Sequence, residues 1–160
     1  MHNELSAFIT QFDAVFQDGP WYGDPVLTIL EDIGPDMAVR KPLPDCHSIM
    51  EIVAHMVQWH RFVLKRLEGD TLFNISLEAE DWPPVNAGEN DSWPEILHHL
   101  TDTRDKIVKA VKDKGEGFLS ERVAQREYDF RYLLLGIIQH DIYHSAQIAM
   151  LKKQLLKQPH

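Results

Sequence analysis

The sequence predicts an all-α fold, an antiparallel four-helix bundle with one long crossover loop, built as a single domain over residues 1–160. Three observations predict it. Four stretches repeat apolar residues at spacings of three, four and seven, the period of a helix with one buried face. Two of those stretches open on Ser with Glu three residues later, Ser48 with Glu51 and Ser92 with Glu95, which is a capping box. The breaks between stretches fall on Gly and Pro, which stop helices. At 160 residues the chain is most simply one domain, and it is long enough to bury a core without disulfides.

Taken in order, residues 3–17 read as the first helix, with Leu5, Phe8, Ile9, Phe12, Val15 and Phe16 as its apolar stripe. Asp18-Gly19-Pro20 stops it. Residues 21–25 form a turn, and Val26–Ile33 reads as a short helix ended by Gly34-Pro35. Met37–Pro44 carries two prolines and reads as a connection. The second long helix spans about 49–68, from the Ser48 cap to Gly69, with Ile49, Ile52, Val53, Met56, Val57, Phe62, Val63 and Leu67 turned inward. Residues 69–91 are a long connection. Loops of that length are usually lids or binding loops, and Trp82-Pro83-Pro84 favours an ordered crossover. The third helix, about 93–113, has Pro94 in its first turn and Ile96, Leu97, Leu100, Ile107, Val108 and Val111 inward. Arg122–Phe130 reads as extended, and the last helix runs from about Arg131 to Leu156. The chain carries no internal repeat and no low-complexity segment.

Composition excludes several functions. A net charge of −9 argues against a nucleic-acid surface, which needs clustered Lys and Arg, and against docking on an anionic membrane. No segment approaches the roughly eighteen uncharged apolar residues of a membrane span. The acidic, polar start gives no expectation of a signal peptide. The single cysteine, Cys46, rules out an intramolecular disulfide and fits a reducing compartment, so a cytoplasmic location is expected. Cys46 has no His at motif spacing and is a poor candidate nucleophile.

The chemistry concentrates in the last helix. His140 and His144 lie four apart, about 40° around the axis and about 6 Å along it, so two imidazoles can converge on one point. One reading is two polar residues at a helix seam. The other is metal ligation. It is favoured because His is the commonest metal ligand and a buried imidazole needs a partner. A pair is two ligands, and a third must come from elsewhere. His98 and His99 are adjacent, point about 100° apart and cannot both serve one site, so they read as surface residues. His55, in the second helix, alone reads as an ordinary helix histidine.

With these residues placed, the chain resembles the DinB/YfiT-like superfamily of small metal-binding four-helix bundles. The likeness lies in Ser48-Ile-Met-Glu-Ile-Val-Ala-His55 and in Gly136-Ile-Ile-Gln-His-Asp-Ile-Tyr-His-Ser-Ala-Gln-Ile-Ala-Met-Leu151. The helix order, the Trp-Pro-Pro loop and the capped third helix agree with it. Ser145-Ala146 stands where relatives often have Ala-Gly, a mild change at a tight helix contact. The resemblance implies a divalent metal held by one His of the second helix and the H-x-x-x-H pair of the last, here His55, His140 and His144. It also implies a small-molecule chemistry, either thiol-dependent S-transfer or isomerisation with a low-molecular-weight thiol, or hydrolysis.

Three neutral imidazoles would leave an ion with an open position, as in catalytic zinc sites. Zn is the default metal, with Ni, Co, Fe and Cu as alternatives. Such a site activates water or a thiol, which points to a hydrolase or a thiol S-transferase. The alternative is a non-catalytic metal-bearing binding or stress-response module. Asp141 is a candidate to orient a ligand imidazole or to act as a base, against an ordinary ion pair on a helix face. Tyr143 and Gln147 could hydrogen-bond a substrate, and Gln58 and Trp59, three and four residues after His55, could line its pocket. Metal binding is expected to weaken below about pH 6.5, where imidazole protonates. His60, His98 and His99 are not expected to be ligands. A homodimer is expected, because the first helix is broadly apolar and two-fold dimers are the commonest assembly.

Overall fold

The computed structural model describes residues 4–85 and 92–157. Every regular element among them is helical, and the one β contact is an isolated antiparallel bridge between Arg122 and Asp129. Helix α1 spans Glu4–Asp13 and widens into a π-helical turn over Ala14–Asp18. Phe8, Phe12 and Phe16 form a ladder along it, with ring centroids 5.5 and 5.3 Å apart. These rings and Val15 are buried in the chain's own core, so the apolar breadth that motivated a dimer is taken up within the protomer.

Two short helices follow, α2 at Val26–Leu30 and α3 at Pro35–Ala38. The second falls where a connection was expected. Pro35 ends the preceding turn, but its fixed φ also suits the first position of a new helix, and there it starts α3.

Helix α4 spans Ile49–Leu67. Ser48 Oγ accepts from the Glu51 N–H at 3.2 Å, and Glu51 Oε2 accepts from the Ser48 N–H at 2.6 Å, so the predicted capping box is complete. Of its 19 residues 14 are buried, which makes α4 the central element. Helix α6, Trp93–Lys112, packs on it from one side. Helix α7, Phe130–Leu155, packs from another, and α1 lies against both α6 and α7. Between α4 and α6 the crossover holds a one-turn helix, α5, at Glu78–Asp81, while its residues 86–91 lie outside the described ones.

Two further contacts set the frame. The Trp93 indole N–H donates to the Ile33 carbonyl at 2.6 Å, tying the start of α6 to the loop after α2. Asp129 caps α7, its carboxylate accepting from the Tyr132 N–H at 2.9 Å. The stretch expected to be extended before α7 is a tight turn. Val123 N–H donates to Tyr128 O and Phe130 N–H to Glu121 O, and Gln125 takes a left-handed φ of 61° between them. The buried hydrophobic residues form one cluster. Among the described residues no helix is long and apolar enough to cross a membrane.

Candidate metal centre

Helices α4 and α7 bring His55, His140 and His144 together. His140 Nε2 lies 3.0 Å from His55 Nε2 and 3.2 Å from His144 Nε2. One nitrogen from each of the three lies within 4.8 Å of the others. Nitrogens bound tetrahedrally to a zinc ion at about 2.0–2.1 Å would stand about 3.3 Å apart, so the spacing is close to that of a filled site.

The outer nitrogens decide what the inner ones can do. His55 Nδ1 is 2.8 Å from the backbone oxygen of Asp81 and 3.0 Å from its carboxylate. His144 Nδ1 is 2.7 Å from Gln147 Oε1. All of these oxygens accept and none donates, so each ring carries its proton on Nδ1 and turns a bare lone pair inward from Nε2. The third ring, His140, meets both lone pairs. It can offer one proton from Nε2, but then its buried Nδ1 is left without a partner. An Asp141 carboxylate oxygen lies 3.9 Å from that Nδ1, longer than a hydrogen bond. The protein's own groups therefore do not satisfy the three rings together, whereas a cation would take all three inner lone pairs. That donor set fits a divalent metal of the zinc type.

Burial keeps the His55 and His144 rings neutral. Burial, and after it the neighbouring His140, pushes the His144 pKa from 6.5 down to about 4. Burial likewise lowers that of His55, with His140 and His47 adding to it and Asp81 opposing. Neutral imidazole is the ligand form.

The crossover clamps this cluster. Trp82 stacks flat on His55, with centroids 4.0 Å apart and planes at 8°, and its other stacking partner is His47 at 3.6 Å. Trp59 Nε1–H donates to the Asp81 carboxylate at 2.8 Å. Asp81, Trp82 and His47 were not among the predicted site residues. Trp82-Pro83-Pro84 signalled an ordered crossover, but nothing local said which of its groups would reach α4.

The other candidates separate. Gln147 faces His144, so its amide holds that imidazole where a contact to substrate was expected. Trp59 lines a cavity of about 210 Å³ shared with His140. Gln58 borders a different and smaller cavity, of about 90 Å³, with Pro83, Pro84 and His99. Tyr143 is exposed and meets the His144 ring edge-on at 5.1 Å. Asp141 is fully buried, and its two oxygens lie 3.1 and 3.0 Å from His60 Nε2. Burial opposes its charge, yet the His60 and His140 rings beside it hold its pKa below the ordinary carboxylate range. It faces His60, a residue the sequence reading set aside. His98 and His99 are exposed, as expected. Cys46 Sγ lies 3.0 Å from the Leu43 carbonyl and is not part of the cluster.

The family model of the DinB superfamily matches residues 24–148, which include α4, α7 as far as Ile148, and all three histidines. The chain belongs to the DinB superfamily. No curated protein matches it. In this DinB superfamily protein the His55, His140 and His144 cluster could hold a metal ion, and no fourth His, Cys, Asp or Glu joins it among the described residues.

Proposed function

We propose that this protein is a metal-dependent enzyme with the antiparallel four-helix bundle of the DinB/YfiT-like type, folded as one domain. His55, His140 and His144 hold a divalent cation through Nε2, with zinc the default and nickel, cobalt, iron or copper as alternatives. One observation carries the reading. Two imidazoles are fixed by outward acceptors with their lone pairs turned towards a third, and no protein donor satisfies all three. Bound there, the cation supplies Lewis acidity that makes a water or a low-molecular-weight thiol nucleophilic at neutral pH.

The chain's own groups prepare the site. Asp81 and Gln147 set the tautomers of His55 and His144. Burial keeps those rings neutral, and Trp82 covers one face of His55. His140 is the most open of the three and borders the cavity of about 210 Å³ between α4 and α7, the side from which a small-molecule substrate enters. The reaction is hydrolysis or thiol S-transfer. The location is cytoplasmic and the assembly a homodimer, the latter checked by light scattering at micromolar concentration.

The test is metal content of the wild type and of His55→Ala, His140→Ala and His144→Ala proteins, measured after chelation and reloading. Stoichiometric metal in the wild type and little in the variants is expected. Full occupancy in the His144→Ala protein would sink the assignment. A screen of electrophiles with and without cellular thiols follows. A loaded protein that turns over none of them is a non-catalytic metal-bearing module.

A further inference from the structure

The cavity of about 210 Å³ beside His140 opens between α4 and α7. Trp59, Tyr128 and Tyr132 supply aromatic surface, and Val63, Leu133 and Ile137 aliphatic surface. No Lys, Arg, Asp or Glu lines it, and the one polar atom of Trp59 is already committed to Asp81. Apolar cavities of about 150 Å³ accept a benzene molecule, so this one has room for a ring with a short substituent.

Gly136 also lines the cavity and is the odd residue of α7. A glycine inside a helix destabilises it relative to alanine. Nothing in the chain requires one here. Its φ is not among the positive ones, and a Cβ built on it would meet no atom within 4 Å. What the missing side chain provides is open space at the cavity's edge, one turn before His140.

We propose that this cavity is the subsite for an uncharged aromatic group of the substrate, and that Gly136 sets its size. No lining Lys, Arg, Asp or Glu offers a charge to pair with an ion, whereas a ring gains edge and stacking contacts with the three aromatic side chains. The inference rests on the metal-centre reading only for its relation to the reacting atoms. With the ring in the cavity, the bond that reacts lies beside His140.

The experiment uses benzyl alcohol and two isosteres of the same ring, benzoate and benzylamine. Binding is followed by calorimetry and by the indole N–H resonance of Trp59, in metal-free wild type, His144→Ala, Gly136→Ala and Gly136→Leu. Benzyl alcohol is expected to shift the Trp59 signal and to bind about tenfold more tightly than either charged isostere. Gly136→Leu should weaken it by about tenfold with helical circular dichroism retained. Gly136→Ala should raise the Tm and weaken binding by less, which keeps the test alive if the leucine protein does not fold. His144→Ala should bind benzyl alcohol as the wild type does. Equal binding of the charged isosteres, no binding at all, or indifference to Gly136→Leu would overturn the proposal. So would a dimer that Gly136→Leu dissociates, because the groove would then seat a second copy. Wild type that takes up no metal but binds benzyl alcohol defeats the metal centre and keeps the subsite, and the reverse result does the opposite.

Discussion

Helices α4 and α7 bury two histidine groups side by side and satisfy them in opposite ways. His60 and Asp141 are both fully buried, and imidazole N–H meets carboxylate, so the pair is complete within the protein. His55, His140 and His144 meet nitrogen to nitrogen, with their acceptors on the outside. Both groups set imidazoles into the seam of the two helices, although His140 is partly open where His60 and Asp141 are sealed. The difference is which ring nitrogen the neighbouring oxygens take. An oxygen on the inner side closes a structural pair, whereas oxygens on the outer side leave lone pairs pointing at one another and call for a cation.

The sealed pair gives the largest expected effect. Removing one partner of a buried hydrogen bond to a carboxylate leaves the other group unsatisfied and costs about 3 kcal/mol or more. Asp141→Ala and His60→Ala should each lower the unfolding free energy of the metal-free protein by that amount, measured by urea titration. The double change to Leu at both positions should recover part of the loss. Metal bound per folded molecule should stay unchanged in His60→Ala. Stability within about 0.5 kcal/mol of wild type in Asp141→Ala would erase the distinction between the two groups.

The open cluster should respond the other way round, through its ligand. A ligand that binds only the native state at about a hundred times its Kd adds about 2.7 kcal/mol. Zinc at that excess should therefore raise the Tm of the wild type and leave that of His144→Ala where it was. Thermal melts with and without metal decide it, and equal zinc shifts in both proteins would count against the site.

The cluster's pH dependence follows from the sign of its shifts. His144 titrates near 4 in the folded protein and near 6.5 when unfolded. As the pH falls, the unfolded chain binds the proton first. The ring's contribution to stability is thus complete above 6.5 and is lost progressively between 6.5 and about 4. His55 is displaced in the same direction. The metal-free wild type should lose Tm over this window more steeply than His144→Ala, and parallel curves would refute the linkage. Protons should also compete with metal in the native site at a lower pH than the 6.5 of a free imidazole.

What the sequence made legible was local. The long helices follow from apolar periodicity, and α4 begins where the Ser48–Glu51 box places it. α7 begins at Phe130, one residue before the expected start, because Asp129 rather than a later residue takes the cap. The His140–His144 pair was legible because four residues of helix fix its geometry. The supporting groups were not. Asp81 lies 26 residues from His55 and reaches it only because the crossover folds back over α4. His60 stands four residues after Met56 and three before Val63, on the inward face of α4, but it meets Asp141 across 81 residues and nothing local named that partner. Asp141 drew attention through its neighbour His140, yet a step of one residue turns a side chain about 100° around the axis, enough to send it into the core.

The smallest effect isolates the outer acceptors themselves. Second-sphere partners of metal-bound histidines typically contribute about 10- to 100-fold in affinity. Gln147→Leu removes the oxygen that accepts from His144 Nδ1, freeing that ring to turn or to take the other tautomer, so zinc affinity should fall by about tenfold. Gln147→Glu keeps an acceptor and makes it charged, so affinity should return to the wild-type level or exceed it. Asp81→Ala is the internal contrast. His55 Nδ1 meets the Asp81 backbone oxygen at 2.8 Å, and that oxygen survives the substitution, while the carboxylate's bond to Trp59 does not. Asp81→Ala should therefore weaken zinc by less than Gln147→Leu, although its side chain carries the charge. Competition titrations against a chelator of known affinity measure all three variants. Unchanged affinity in Gln147→Leu would mean that His144 is oriented by packing alone, and that the outer oxygens do not mark the metal face of these rings.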